Sequence, residues 1–158
     1  MSMSDAEKAI HDRVARYVAE TRFPFPDQTD WPEDYQTVVN AGNQQVAVKV
    51  REHMHYPDIV VLDGQGVARE IGEVEMQLRP EFVPRLTIAS MAAPMIPETD
   101  VRHFFLYVPA EHAEHAAEFV ESYRLSLAGL RTFEIDDDDV IHIRPVETRG
   151  HAKDHRET

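Results

Sequence analysis

A run of almost continuously apolar residues, HFFLYV at residues 103–108, constrains the fold of this chain more than any other segment. Such a run is typical of a strand buried on both faces, because a strand with one solvated face carries polar residues at alternate positions. Segments with helical periodicity lie on either side of it, at residues 79–95 and 110–127. The run therefore predicts a central sheet with helices on its faces.

Periodic segments elsewhere in the chain predict the other elements. Apolar residues recur at helical spacing between residues 4 and 22, and Ser4 and Glu7 have the spacing of a capping box. The DGQG sequence at residues 63–66 predicts a hairpin turn, and the acidic DDDD at residues 136–139 predicts the turn between the last two strands. The predicted strands lie at residues 45–51, directly after Asp58, and at residues 67–78, 103–108, 131–135 and 140–146.

These elements follow the order helix, three strands, helix, strand, helix, strand, which defines a mixed α/β fold with a central sheet flanked by helices. The chain has 158 residues, a length that suits one domain, and we expect that domain to span residues 1–146. Residues 147–158 show no apolar periodicity and are predicted to form a flexible polar tail. The Pro- and Asp-rich residues 24–34 predict a loop, with a short turn near residues 31–39.

The net charge of −13 disfavours a general affinity for nucleic acid or for an anionic membrane, because phosphate binding needs clustered cations. A local cleft can still be basic, and nucleic acid stays open as a partner beside a protein partner or a second copy of the chain. The absence of cysteine excludes disulfides, zinc-thiolate sites, iron–sulfur clusters and thiol nucleophiles. No apolar run reaches the roughly eighteen residues of a membrane span, so we expect a cytoplasmic protein.

A row of acidic residues lies on two neighbouring predicted strands. Asp58 begins one strand, and Glu73, Glu75 and Gln77 follow at alternate positions of its hairpin partner, so that these three project from one face. Carboxylates from adjacent strands form a hard oxygen site suited to Mg²⁺ or Mn²⁺. Taken alone, the two glutamates also fit a solvated strand face that pairs with Lys49 or Arg51.

Pro57-Asp58 and Glu73-Val74-Glu75 together resemble the motif of the PD-(D/E)xK nuclease superfamily, in which Pro-Asp opens one strand and acid-x-Lys lies in the next. The resemblance extends from about residue 4 to residue 146 and implies a restriction-endonuclease-like fold. It implies a nuclease or phosphodiesterase in which Asp58 and Glu73 hold Mg²⁺ or Mn²⁺ and Glu75 and Gln77 belong to the catalytic site. Arg79 and Arg85, just beyond the motif, are then the candidates for phosphate binding.

Glu75 departs from the motif, because the superfamily usually has lysine there. Some members are similar to this chain in having Glu-x-Glu, with the second glutamate as a candidate base or metal contact. The lost lysine leaves two alternatives open: a catalytically silent nuclease-fold module that binds a partner or has a regulatory role, and an acidic metal-binding protein without hydrolytic activity. Glu7 or Glu20 on the first helix is a candidate for the further acid that some members carry there.

Histidine pairs are weaker candidates for chemistry. His53 and His55 alternate on one predicted strand face, and His112 and His115 lie one helical turn apart, but neither pair has an evident third ligand. We interpret all four as ordinary surface or loop residues. The chain also lacks the G-x-S-x-G, P-loop, H-E-x-x-H and G-x-G-x-x-G motifs. No sequence motif therefore indicates a serine hydrolase, a nucleoside-triphosphatase, a zincin or a dinucleotide-binding protein.

Overall fold

The computed structural model describes residues 3–22, 33–96 and 100–149. These residues form three α-helices, α1 (Asp5–Arg22), α2 (Val83–Ala92) and α3 (Ala113–Ser122). The strands are β1 (Gln36–Val39), β2 (Val48–Val50), β3 (His53–His55), β4 (Ile59–Leu62), β5 (Ala68–Val74), β6 (Met95–Ile96), β7 (Val101–Arg102), β8 (Phe104–Pro109), β9 (Gly129–Ile135) and β10 (Ile141–Thr148). The predicted mixed α/β class is confirmed.

Six strands form one mixed sheet in the order β1-β4-β5-β8-β9-β10. The first three pair antiparallel, β5, β8 and β9 pair parallel, and β9 and β10 form an antiparallel hairpin. The parallel pairs need crossover connections, which α2 and α3 supply. Two small ribbons, β2–β3 and β6–β7, stand apart from this sheet.

The central strand β8 is buried along its whole length, as the apolar run predicts. Its side chains alternate between two hydrophobic clusters. Phe104, Leu106 and Val108 pack with Leu86 and Phe119, the side chains of α2 and α3. Phe105 and Tyr107 pack in the second cluster with the α1 residues Val14, Ala15 and Val18. The helices therefore cover both faces of the sheet.

Helix α1 begins with the predicted capping box. The Ser4 hydroxyl accepts the Glu7 backbone N–H at 3.2 Å, and the Ser4 backbone N–H donates to Glu7 Oε1 at 3.4 Å. These two bonds satisfy donors that the first helical turn leaves without intrahelical partners. No helix in the described part of the chain is both long and apolar enough to cross a membrane.

Several predicted boundaries are wrong. The helix predicted for residues 110–127 ends at Ser122, because Arg124 adopts a left-handed conformation (φ 51°) and the Leu125 N–H bonds the Val120 carbonyl at 3.0 Å, as in a Schellman cap. The helix predicted for residues 79–95 is a short 3₁₀ turn followed by α2.

Strand boundaries also differ from the prediction. The strand expected at residues 67–78 ends at Val74, and the segment 45–51 contributes only the three residues of β2. Strand β1 lies where the sequence predicts a turn. Strand β10 continues to Thr148, two residues into the predicted tail, whose last part, residues 150–158, lies outside the described residues.

Candidate functional site

The predicted acidic residues meet where β4 and β5 pair. Ile59 pairs with Gly72, and Asp58 and Glu73 are the next residues of the two chain segments beyond that pair. The negative charge of Asp58 contributes to the raised pKa of Glu73, as expected for two neighbouring carboxyl groups. The turn between the strands is closed by the Asp63 N–H, which donates to the Val67 carbonyl at 2.9 Å. The hairpin thus brings Asp58 and Glu73 together, as their spacing predicts.

Asp58 connects the two strands and α1. Its Oδ2 atom accepts the Val74 backbone N–H at 2.8 Å and lies 3.1 Å from His11 Nε2. The backbone carbonyl of Asp58 accepts the Asn40 N–H at 2.9 Å, which attaches this position to the end of β1. Asp58 is therefore held from three elements of the fold.

Glu73 is almost completely buried, with 2% of its side chain exposed. Its Oε1 atom lies 2.8 Å from His55 Nε2 of β3, and its Oε2 atom lies 3.7 Å from Arg85 Nη1. Burial, followed by the negative charges of Asp58 and Glu75, raises the pKa of Glu73 well above its usual range. Burial and the charge of Arg85 lower the pKa of His55. Both directions favour a neutral carboxyl hydrogen-bonded to a neutral imidazole.

Glu75 lies just beyond the end of β5 and pairs with α2. Arg85 Nη1 donates to Glu75 Oε1 at 2.5 Å, and the guanidinium lies 5.1 Å from the centre of the Phe82 ring. Burial raises the pKa of Glu75, and the hydrogen bond and charge of Arg85 partly offset that rise. The sequence predicts Arg85 as a phosphate-binding residue; in the described contacts its guanidinium pairs with Glu75 and lies 3.7 Å from Glu73 Oε2.

His11 of α1 carries a second positive charge into the site. Burial lowers the pKa of His11, but the hydrogen bonds and charges of Asp58 and Asp12 outweigh burial. Together they raise the pKa from its ordinary 6.5 to about 9. His11 Nδ1 lies 2.9 Å from Asp12 Oδ1. His11 is not among the predicted site residues, although its sequence position carries a signal: it falls on the same helical stripe as the buried Val14, Ala15 and Val18.

Two other interpretations of the sequence need correction. The interpretation of His55 as an ordinary loop residue is wrong, because His55 contacts Glu73, whereas His53 is exposed. Glu73 and Glu75 do not form a solvated face that pairs with Lys49 or Arg51, because both glutamates are buried and contact His55 and Arg85. His115 fits the ordinary interpretation, since its Nε2 atom lies 3.1 Å from the Leu78 carbonyl oxygen.

A cavity of about 400 Å³ opens beside Asp58 and Glu75. Gln77 and Arg79 lie on its wall, and Arg79 donates to Gln77 Oε1. Gln77 is exposed and lies in a bend beyond the end of β5, so it lines the cavity from that bend and not from the strand. Of the two candidate first-helix acids, Glu7 lines this cavity, while Glu20 lines a separate one beside Arg13 and Arg16.

The oxygen donors of Asp58 and Glu73 suit a hard divalent cation by their chemistry. Within residues 3–22, 33–96 and 100–149, however, no three acidic or histidine side chains are arranged as a ready ligand cluster. Arg85 lies among the acids instead, and its guanidinium contacts both Glu73 and Glu75. An ion held by Asp58 and Glu73 must therefore share Glu73 with His55 and Arg85, and Asp58 with His11.

Comparison with protein-family models, with curated proteins and with solved structures finds no significant match for this chain. Its function has to be argued from the site itself.

Proposed function

We propose that this chain is a metal-dependent phosphodiester hydrolase of the PD-(D/E)xK type, with a restriction-endonuclease-like fold. The observation that carries the proposal is the convergence of Asp58, Glu73 and Glu75 at the junction of β4 and β5, with both glutamates buried. Burial of several carboxylates is costly unless cations or protons compensate them, so such a cluster on a stable strand pair indicates a site rather than a surface.

The order of elements supports the same assignment. The two strands that carry the motif are preceded by α1 and followed by α2, β8 and further elements, as the resemblance implies. Helix α2 connects the parallel strands β5 and β8 and places Arg85 over the end of β5. The glutamates and the arginine are consequently supplied by one continuous segment of the fold, and the cavity is also lined by Glu7, His11 and Asp58.

Asp58 and Glu73 are the residues that would hold Mg²⁺ or Mn²⁺, which lowers the pKa of a bound water and stabilises negative charge at phosphorus. Glu73 has to give up its proton for this role, so metal affinity increases with pH. Glu75 is the candidate to accept a proton from the attacking water or to contact the ion. Gln77 and Arg79 face the same cavity and position the substrate from its wall.

Arg85 supplies the positive charge that the motif's lysine would supply at the position of Glu75. A guanidinium beside the scissile phosphate stabilises the charge that develops in the transition state, and it needs no reorganisation when it is already held in place. Arg85 is held by Glu75 and by the Phe82 ring while 40% of its side chain stays exposed. It can therefore meet a phosphate from the cavity.

The second candidate is a catalytically silent module with the same fold, which binds a protein partner or a second copy of itself. One observation favours this candidate: the negative charges of the site are already compensated without a metal ion. Arg85 and His11 are positively charged, and the raised pKa of Glu73 favours its neutral form. A site that no longer binds metal is stable in this state.

A titration with Mn²⁺ separates the two candidates. For a hydrolase, Mn²⁺ raises the melting temperature of the wild-type protein in a saturable way, because ligands that bind only the native state stabilise it by mass action. We expect Asp58→Asn to lose most of this rise and Asp137→Asn, on the exposed acidic turn, to retain it. Cleavage of labelled DNA and RNA oligonucleotides is measured with the same three proteins. Equal shifts in all three would place the ion elsewhere, and no shift and no cleavage would favour the silent module.

A further inference from the structure

The cavity beside the carboxylates is lined by two chemically different kinds of side chain. His11, Asp58 and Glu75 are polar or charged. Met3, Met76 and Phe82 are apolar. An ion and its water would contact the carboxylates, so the apolar side chains are available to another part of a substrate.

The apolar side chains that line the cavity are accessible to a ligand. The Met3 side chain is 41% exposed, and Met76 and Phe82 are partly buried. Thioethers and an aromatic ring make favourable contacts with a flat π system, and stacking of a nucleic-acid base on such side chains does not depend on the identity of the base. These residues therefore offer a surface suited to a base.

The same lining carries polar groups suited to the edge of such a base and to its phosphate. Gln77 Oε1 accepts a hydrogen bond from Arg79, and the amide nitrogen of Gln77 is a further donor. Arg85 contacts both the carboxylate of Glu75 and the Phe82 ring. The cavity thus combines apolar side chains, an amide and two guanidiniums within one small volume.

We infer that this cavity receives one unpaired nucleotide next to the scissile phosphodiester, so that the substrate is single-stranded nucleic acid rather than an intact duplex. The inference rests on the proposed hydrolase. A volume of about 400 Å³ lies at the lower end of the range for small-ligand pockets. A base within a duplex is stacked on both faces and must be unstacked before it can enter such a pocket.

Binding of fluorescein-labelled oligonucleotides tests the inference without relying on cleavage. Fluorescence anisotropy is measured for a ten-residue oligothymidylate and for a blunt hairpin duplex of matched length, in EDTA and again with Mn²⁺. We expect the single strand to bind at least about tenfold more tightly than the duplex. Similar affinities, a preference for the duplex, or no binding of either probe would overturn the inference.

The matched variants are Met3→Ala and Met91→Ala. Both methionines are about equally exposed (41% and 42%), but Met91 lies on α2 outside the cavity. We expect Met3→Ala to weaken single-strand binding by roughly fivefold or more, as the loss of a stacking contact does, and Met91→Ala to leave it unchanged. Phe82→Leu, which keeps an apolar side chain, should weaken binding as well. Wild-type affinity in both Met3→Ala and Phe82→Leu would overturn the inference.

The two proposals fail in different ways. Cleavage of a duplex in preference to a single strand would sustain the hydrolase and overturn the nucleotide pocket. Single-strand binding that is sensitive to Met3→Ala, in a protein that shows no Mn²⁺ shift and no cleavage, would sustain the pocket and overturn the hydrolase.

Discussion

Arg85 Nη1 of α2 lies 2.5 Å from Glu75 Oε1 and is the closest cationic contact of that buried carboxylate among the described ion pairs. The same nitrogen lies 3.7 Å from Glu73 Oε2. One guanidinium from a helix therefore contacts both buried carboxyl groups at the end of a strand and compensates the charge of Glu75. The motif that this sequence resembles has its positive charge on the strand, whereas here a cation comes from the neighbouring helix.

Arg85→Met should lower the free energy of unfolding by roughly 1–3 kcal/mol, because it leaves the buried Glu75 without its cation. The expected loss of stability is smaller than for a fully buried ion pair, because 40% of the arginine side chain is exposed and solvent screens its charge. Urea unfolding measures the change, with Arg144→Met on the exposed side of β10 as the control. An equal, small loss in both variants would contradict the compensating role.

The charge of His11 should make stability depend on pH in the metal-free protein. Its pKa is about 9 in the folded chain against an ordinary 6.5, so the folded state binds the proton more tightly. The resulting stabilisation is complete below about pH 6.5 and disappears as the pH rises through 9, and its size is on the order of 3 kcal/mol.

Urea unfolding in EDTA between pH 6 and pH 10 tests this dependence. His11→Gln keeps hydrogen-bonding capacity but does not titrate, so the variant should lose the decline between pH 6.5 and 9. If the stability of the wild-type protein and of His11→Gln declined in parallel with pH, groups other than His11 would cause the decline.

The local pattern of the chain was enough to predict most of the sheet. The apolar runs at residues 103–108 and 59–62 and the alternation of acidic and apolar residues after residue 72 identify strands β8, β4 and β5, because burial dictates these patterns directly. The end of α3 was not predictable in the same way. Glycine is the usual signal for the left-handed residue after a helix, and Arg124 takes that conformation without it.

The acids of the site were predictable, and their partners were not. Asp58 and Glu73 share a hairpin, so their proximity follows from local pairing. His11 is 47 residues from Asp58 in the chain, and its contact depends on how α1 packs on the sheet. The contact of His55 depends likewise on a separate ribbon, β2–β3. Such long-range contacts leave little trace in a single sequence.

Glu75→Gln should lower the rate of phosphodiester cleavage in Mn²⁺ by a factor of about a hundred or more, as expected for the loss of a positioned base. Because Asp58 and Glu73 are the proposed ligands, the Mn²⁺-induced rise in melting temperature should largely persist. Glu134→Gln, at an exposed position of β9, is the control and should cleave at the wild-type rate.

The stability of this variant gives a second readout. Glutamine keeps an oxygen acceptor for Arg85, and it removes a charge whose burial is unfavourable, so unfolding should change little. A wild-type protein that cleaves no oligonucleotide with any divalent metal, together with a more stable Glu75→Gln variant, would favour the silent module.

Asn40 is expected to be the main structural support of the motif. This buried side chain donates to the Pro57 carbonyl at 2.5 Å and to the Val46 carbonyl at 2.9 Å, and its oxygen accepts the N–H groups of Gln45 and Val46. Asn40→Ala leaves these groups without a partner and should lower the free energy of unfolding by roughly 2–4 kcal/mol. Asn43→Ala, at an exposed position of the same loop, should change it by less than about 0.5 kcal/mol. Because the Asn40 backbone also bonds to Asp58, the first variant should weaken Mn²⁺ binding even at temperatures where it stays folded, and unchanged affinity would limit Asn40 to a role in stability.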